Sequence, residues 1–174
     1  ILLLGSLDSE VSAGYYSAAL QLLSAGLVFV ASFSMSMYPN TARNIYDINF
    51  RSKMLVGLIK MTIIIAILCG LFVTVSDYII ILLYTDSYIQ SSDVLKVIIW
   101  FIPLRILSLW GHQILEVTDY LKLRIFIFIV PVLFNIFLCY YLIPKYSYMG
   151  AAWGTLVSNI LLLVLAFSSS LFGL

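Results

Sequence analysis

The sequence predicts an all-α integral membrane protein, a polytopic bundle of about five transmembrane helices preceded by the end of a sixth. Hydrophobic residues make up 63% of the 174 residues and charged residues only 10%, with a mean hydropathy of +1.12. A water-soluble core does not require so apolar a composition. Runs of roughly twenty apolar residues recur between short polar breaks, which is the length that crosses a bilayer. We therefore expect residues 1–174 to form a single transmembrane bundle.

Five stretches meet the length requirement for a span. Pro39 and Pro144 are expected to end the first and fourth of them, because proline donates no amide to the helical ladder. Residues 40–53 are then a polar connector, and residues 78–84 either lie in the membrane interface or extend the preceding helix. The tight turn near residues 117–121 predicts an antiparallel hairpin of spans three and four. The predicted spans are residues 13–37, 54–75, 94–117, 120–143 and 149–172.

Lysine and arginine are distributed unevenly between the loops at the two ends of the bundle. The loops after spans one and three carry five of them, whereas the alternate loops carry two. Short cytoplasmic loops are enriched in these residues, so we expect the first residues to lie outside and the C-terminus to lie in the cytoplasm. The five are Arg43, Arg51, Lys53, Lys122 and Arg124, and the two are Lys96 and Lys145.

Span three carries three ionisable side chains at helical spacing. Arg105 lies near its centre, and His112 and Glu116 follow two and three turns later, so one stripe of the helix is polar. A charge at mid-bilayer costs on the order of 3 kcal/mol or more, and such residues usually face a bundle interior or a water-filled cavity. The alternative is structural: Pro103 frees the carbonyl of Ile99, and Arg105 is then its partner. For Glu116, which is near a helix end, the alternative is snorkelling to the interface.

Milder polar residues occur within the other spans. Gln21, Asn135 and Asn159 are candidates for the lining of a substrate cavity, although such groups also join helices to one another. Gly150 and Gly154 are four positions apart at the start of span five. Small residues at that spacing allow close helix approach, so we interpret them as packing positions.

Several function classes are not indicated. The sequence shows no nucleophile with a positioned base, no carboxylate pair on a shared face, no phosphate loop and no metal-ligand cluster. Cys69 and Cys139 lie within apolar runs and have no metal-binding spacing. The net charge of +1 offers no basic surface for nucleic acid. We expect a protein that is not an enzyme and that uses no cofactor or metal.

A series of short aromatic and proline-containing motifs runs along nearly the whole chain. In order and spacing they resemble the bacterial polysaccharide biosynthesis transporters, the O-antigen and exopolysaccharide flippases. That family belongs to the multidrug, oligosaccharidyl-lipid and polysaccharide exporter superfamily. The motifs are Gly14-Tyr15-Tyr16-Ser17-Ala18-Ala19, Tyr38-Pro39, Leu83-Tyr84 to Tyr88, Leu95, Ile99-Trp100-Phe101-Ile102-Pro103, Leu142-Ile143-Pro144-Lys145-Tyr146 and Gly150-Ala151-Ala152.

The resemblance implies a multi-pass protein of the bacterial plasma membrane that flips lipid-linked oligosaccharide by alternating access. It implies a larger transporter of two similar halves, of which this chain is most of the second. The expected partners are a polyprenyl diphosphate sugar, the lipid bilayer and the missing first half. Arg105 is then a counter-charge for the diphosphate. The alternatives are a multidrug or small-cation exporter of the same superfamily, or an inactive or scaffold membrane fragment.

Overall fold

The computed structural model describes residues 1–118 and 120–172, with side chains at all of these except 121 and 169–172. Within this part the chain consists of helices joined by short turns, and no strand is present. The all-α prediction is confirmed. The elements are α1 (Leu2–Leu7), α2 (Glu10–Asn44), α3 (Ile48–Tyr84), a 3₁₀ turn (Asp86–Tyr88), α4 (Gln90–Ile98), α5 (Phe101–Val117) and α6 (Leu121–Phe172).

The helices are long enough and apolar enough for a membrane. Four candidate spans are present among the described residues, with α4 and α5 together forming one of them. This identifies the chain as a membrane protein. The four spans are Glu10–Asn44, Ile48–Tyr84, Gln90–Val117 and Lys122–Ser168.

The last helix, α6, turns back on itself. Its 52 residues would be about 78 Å long if straight, more than twice the roughly 30 Å of bilayer hydrocarbon. Ser147 interrupts it with φ 51° and ψ −136°, a backbone conformation that residues other than glycine rarely adopt. We call residues 121–146 the first arm and residues 148–172 the second arm.

Two glycines allow the two arms of α6 to approach each other closely. A Cβ atom on Gly150 would lie 2.5 Å from the carbonyl oxygen of Leu142, and one on Gly154 would lie 3.2 Å from Sγ of Cys139. These contacts pair residues on opposite sides of the turn, so the arms form an antiparallel hairpin. The interpretation of both glycines as packing positions is confirmed, whereas the division of the bundle into five spans stays a prediction.

Hydrogen bonds fix the hairpin turn against the start of the chain. The Ser147 hydroxyl donates to the carboxylate of Asp8, which lies between α1 and α2, and it is 3.1 Å from the hydroxyl of Ser12. Ser9 caps α2 by accepting from the amide of Ser12 at 3.1 Å. The unusual backbone of the turn is thereby stabilised from a second helix.

Two predicted boundaries around the first turn are wrong. Helix α2 continues through Pro39 to Asn44, because the proline removes a single bond, to the carbonyl of Met35, in a helix of 35 residues. Residues 40–53 are therefore mostly helical and not a connector. Helix α3 begins directly after Asp47, whose carboxylate accepts from the amide of Asn49 at 2.8 Å.

Two further boundaries lie at the opposite end. Residues 78–84 extend α3 to Tyr84, which settles the choice between an interfacial segment and a helix extension. Pro144 does not end its helix, since it lies inside α6 and the chain reverses only at Ser147. A proline near the end of a helix removes a single donor, and two more helical residues fit before the turn.

The third predicted span is divided at residues 99–100. The amide of Ile102 donates to the carbonyl of Ile99 at 3.1 Å, a tighter bond than that of an α-helix. Pro103, which follows, cannot donate to this carbonyl. The Cys69 thiol of α3 also reaches the same oxygen, at 3.9 Å. The break separates α4 from α5 near the middle of the bundle.

Candidate substrate cavity

A cavity of about 770 Å³ lies between α2, α5 and both arms of α6. It is partly open, and most of its lining is apolar. Ligand sites in proteins typically have this size and an apolar lining with a few polar groups. The charged and amide side chains that line it are Arg105, Gln113, Glu116, Arg124, Asn135 and Asn159.

Arg105 projects from the first turns of α5 into this cavity. Its guanidinium carbon lies 5.5 Å from the centroid of the Phe128 ring, on the first arm of α6, which is a cation–π distance. Among the described residues no carboxylate forms an ion pair with it. The alternative role as a partner for the carbonyl of Ile99 is wrong, because Ile102 and Cys69 already donate to that oxygen.

His112 lies on the same face of α5 but does not line the cavity. It is 5% exposed and stacks on Phe128 with ring centroids 4.7 Å apart and an angle of 15° between the planes. Neither ring nitrogen has a hydrogen-bond partner in the described part of the chain. Phe128 therefore contacts both His112 and Arg105, and His112 contributes to packing behind the cavity wall.

Glu116 and Arg124 form an ion pair at the end of the cavity near the α5–α6 turn. Their closest atoms, Nη1 and Oε1, are 3.2 Å apart, and both side chains are about one-third exposed. Two arginines and one glutamate among the described lining residues leave one net positive charge (2 − 1 = +1). The predicted stripe thus faces the first arm, and Arg105 is its one cation without an ion-pair partner among the described residues.

Gln113 is a cavity residue that the sequence analysis missed. It is only 1% exposed, and its Nε2 donates to both the carbonyl and the hydroxyl of Ser34 on α2, each at 3.0 Å. Its Oε1 has no partner among the described groups. The sequence signal for this role was a polar side chain within a membrane span, between His112 and the apolar pair Ile114-Leu115. Gln113 ties α2 to α5 along one wall of the cavity.

The remaining predicted residues divide into two groups. Asn135 and Asn159 line the cavity from the two arms of α6. Gln21 does not, since it lies on an exposed part of α2 and its Oε1 accepts from the hydroxyl of Tyr84 at 2.7 Å. Its selection as a cavity residue is not supported by this geometry.

Tyrosines close the bundle at the end opposite the Glu116–Arg124 pair. The hydroxyl groups of Tyr16 and Thr155 are 2.8 Å apart and join α2 to the second arm. Tyr15 packs edge-on against Tyr88 and Tyr148, with ring centroids 5.9 Å away in both cases. Of these residues only Thr155 lines the cavity, so the tyrosines pack the bundle beyond it.

No family model, no curated protein and no solved structure matches the chain. The resemblance to polysaccharide flippases stays a prediction that depends on the short motifs alone. The geometry itself provides a mostly apolar cavity between the long helices, with a net positive charge among its described lining residues.

Proposed function

We propose that the chain is part of a flippase that moves lipid-linked oligosaccharide or exopolysaccharide units across the bacterial plasma membrane. The observation that supports this most is the charge of Arg105 inside a cavity of the bundle, where no carboxylate among the described residues pairs with it. Intramembrane charges are costly unless a partner is present. An anionic headgroup is a partner of the right sign, and arginine binds phosphate oxygens through two parallel hydrogen bonds.

The size of the cavity suits a headgroup rather than a whole lipid. Its volume of about 770 Å³ is within the usual range for small-molecule sites. In this mechanism the diphosphate and first sugar occupy the cavity while the polyprenyl chain stays in the bilayer. Alternating access then exposes the cavity to one side of the membrane after the other.

A drug or small-cation exporter fits the charges less well. Such a site needs a free acidic group at membrane depth, whereas the one described carboxylate in the cavity, Glu116, is paired with Arg124. A scaffold without transport activity predicts a dry surface around Arg105. A transporter predicts water there, because the cavity must hydrate when it is empty.

We infer the orientation from the charges at the two ends. The loops that contain Arg43 and Lys122 face the cytoplasm, and the C-terminus lies on that side. Asp86 and Lys145 are exposed at the other end. Cysteines placed at positions 86 and 145 of a variant without Cys69 and Cys139 are therefore expected to react with a membrane-impermeant thiol reagent in intact cells.

The control for this orientation uses the opposite end of the bundle. Cysteines at positions 43 and 122 should react only after the cells are permeabilised. If positions 86 and 145 are protected in intact cells while positions 43 and 122 are labelled, the chain has the opposite orientation in the membrane.

We expect the chain alone to insert into membranes but not to restore polysaccharide export in a flippase-deficient strain. The cavity has walls from α2, α5 and α6 and is partly open, and a transport pathway through a bilayer needs a closed polar lining. Co-expression with the complementary half is expected to restore export, because membrane helices insert before they associate. The measurement is surface polysaccharide at matched protein levels.

Full restoration by the chain alone, in a strain with no resident homologue, contradicts the need for a second half. It would point instead to a homodimer, in which two copies supply both walls.

A further inference from the structure

The hairpin of α6 brings two asparagines to the same place in the cavity wall. Gly154 packs against Cys139 across the hairpin. Asn135 lies one turn before Cys139 on the first arm, and Asn159 lies just over one turn after Gly154 on the second. Antiparallel arms place these two positions opposite each other, and both side chains line the cavity.

The hydrogen bonds within the hairpin decide which amide atoms are free. Nδ2 of Asn159 donates to the carbonyl of Thr155 at 2.7 Å. A carbonyl only accepts, so this bond sets the orientation of the amide and leaves Oδ1 as a free acceptor. Oδ1 of Asn135 receives the Cys139 thiol at 3.7 Å, which leaves its Nδ2 as a free donor. Neither amide has a further side-chain hydrogen-bond partner among the described residues.

We propose that Asn135 and Asn159 form an amide pair that binds a hydroxyl-bearing sugar ring, next to the phosphate group held by Arg105. This inference rests on the proposed function and adds the groups that recognise the saccharide. A hydroxyl donates and accepts at once, so it can satisfy Oδ1 of Asn159 and Nδ2 of Asn135 together. A phosphate oxygen only accepts, and it gains nothing from Oδ1 of Asn159.

This division of roles predicts discrimination between lipids with and without a sugar. Each hydrogen bond to a buried polar partner is worth about 1 kcal/mol net, which is roughly fivefold in affinity. Two such bonds amount to roughly 30-fold at most, before the cost of ordering the ring is subtracted. We expect the pair to favour the sugar-bearing lipid by about tenfold.

The experiment compares two probes on the complete transporter, purified in lipid nanodiscs. One probe is a polyprenyl diphosphate that carries a single hexose, and the other is the same polyprenyl diphosphate without sugar. Dissociation constants are measured for wild type and for Asn135→Leu and Asn159→Leu, which are close in size to asparagine. Wild type should prefer the hexose probe about tenfold, and each variant should reduce that preference to about threefold or less.

Gln21→Leu is the matched control, because it removes an amide on α2 that lies outside the cavity. It should keep the full preference for the hexose probe. Asn159→Leu also removes the bond to the carbonyl of Thr155, so it can perturb the fold. Asn135→Leu loses only the weak contact with the Cys139 thiol and decides the result if Asn159→Leu is misfolded.

The possible outcomes separate this inference from the proposed function. Equal binding of the two probes to wild type overturns the amide pair but leaves the anion site of Arg105 standing. An unchanged preference in Asn135→Leu also overturns it, because the sugar is then recognised elsewhere. Failure of both probes to bind wild type contradicts the proposed function itself. Loss of preference in the asparagine variants, with Gln21→Leu unaffected, supports the pair.

Discussion

Arg105→Ala is expected to reduce export of surface polysaccharide by about 10- to 100-fold in the complete transporter, at nearly unchanged abundance in the membrane. Hydrogen bonds to charged groups are worth about 1.5–3 kcal/mol, and the substitution removes them from the anionic headgroup. Abundance is preserved because Arg105 has no ion-pair partner among the described residues, so no buried carboxylate is left unpaired. Export and membrane protein levels are measured in the same cells.

Two further variants separate the loss of charge at Arg105 from a general effect of removing a cation. Arg105→Lys keeps the charge but loses two-point contact with phosphate, so we expect intermediate export. Lys60→Ala removes an exposed cation on α3, outside the cavity, and should leave export unchanged. A fall in abundance that parallels the loss of export would show that Arg105 is structural. A cysteine at Ala31, an exposed residue that lines the cavity, should react with a water-soluble thiol reagent, and its failure to react would support a dry scaffold.

Gly111→Ala is expected to cause the largest loss of stability of any glycine-to-alanine substitution in α5 or α6. A Cβ atom at this position would overlap the backbone carbonyl of Ala166 on the second arm. Backbone atoms cannot rotate away as a side chain does, so α5 and the second arm must separate. Overpacking of this kind costs typically 1–3 kcal/mol. The measurement is the midpoint of thermal unfolding in nanodiscs, together with membrane abundance.

Gly57→Ala is the matched control for Gly111. Its Cβ atom meets nothing within 4 Å, and alanine is favoured over glycine within a helix by roughly 0.5–1 kcal/mol. We therefore expect unchanged or slightly higher stability. Equal unfolding midpoints for the two variants would contradict the close approach of α5 and the second arm.

The sequence was sufficient for the fold class but not for the helix ends. Twenty-residue apolar runs require helices in lipid because the backbone must satisfy its own hydrogen bonds. The end of a helix depends on the surroundings of each residue, which composition does not reveal. Pro39, Pro103 and Pro144 have the same chemistry, yet α2 continues through Pro39, the chain breaks before Pro103, and it reverses three residues after Pro144.

The cavity could be predicted only in part, for a related reason. Helical spacing placed Arg105, His112 and Glu116 on one face, and the structure directs that face towards Phe128 and Arg124. Periodicity does not show which members of a stripe are covered by a neighbouring helix. His112 is covered, Arg105 reaches the cavity, and the contribution of Gln113 depends on Ser34 of a helix that is distant in sequence.

The turn at Ser147 links the shape of the hairpin to the protonation state of Asp8. Hydrogen bonds from Ser12 and Ser147 hold the pKa of Asp8 below its ordinary value of 3.8. A carboxylate with a lower pKa in the folded state stabilises the fold above its unfolded pKa, and that contribution is lost as the pH falls through the folded value. The carboxylate of Asp8 therefore contributes to the connection between the hairpin tip and the start of α2 at neutral pH, and protonation of Asp8 in strong acid weakens that connection.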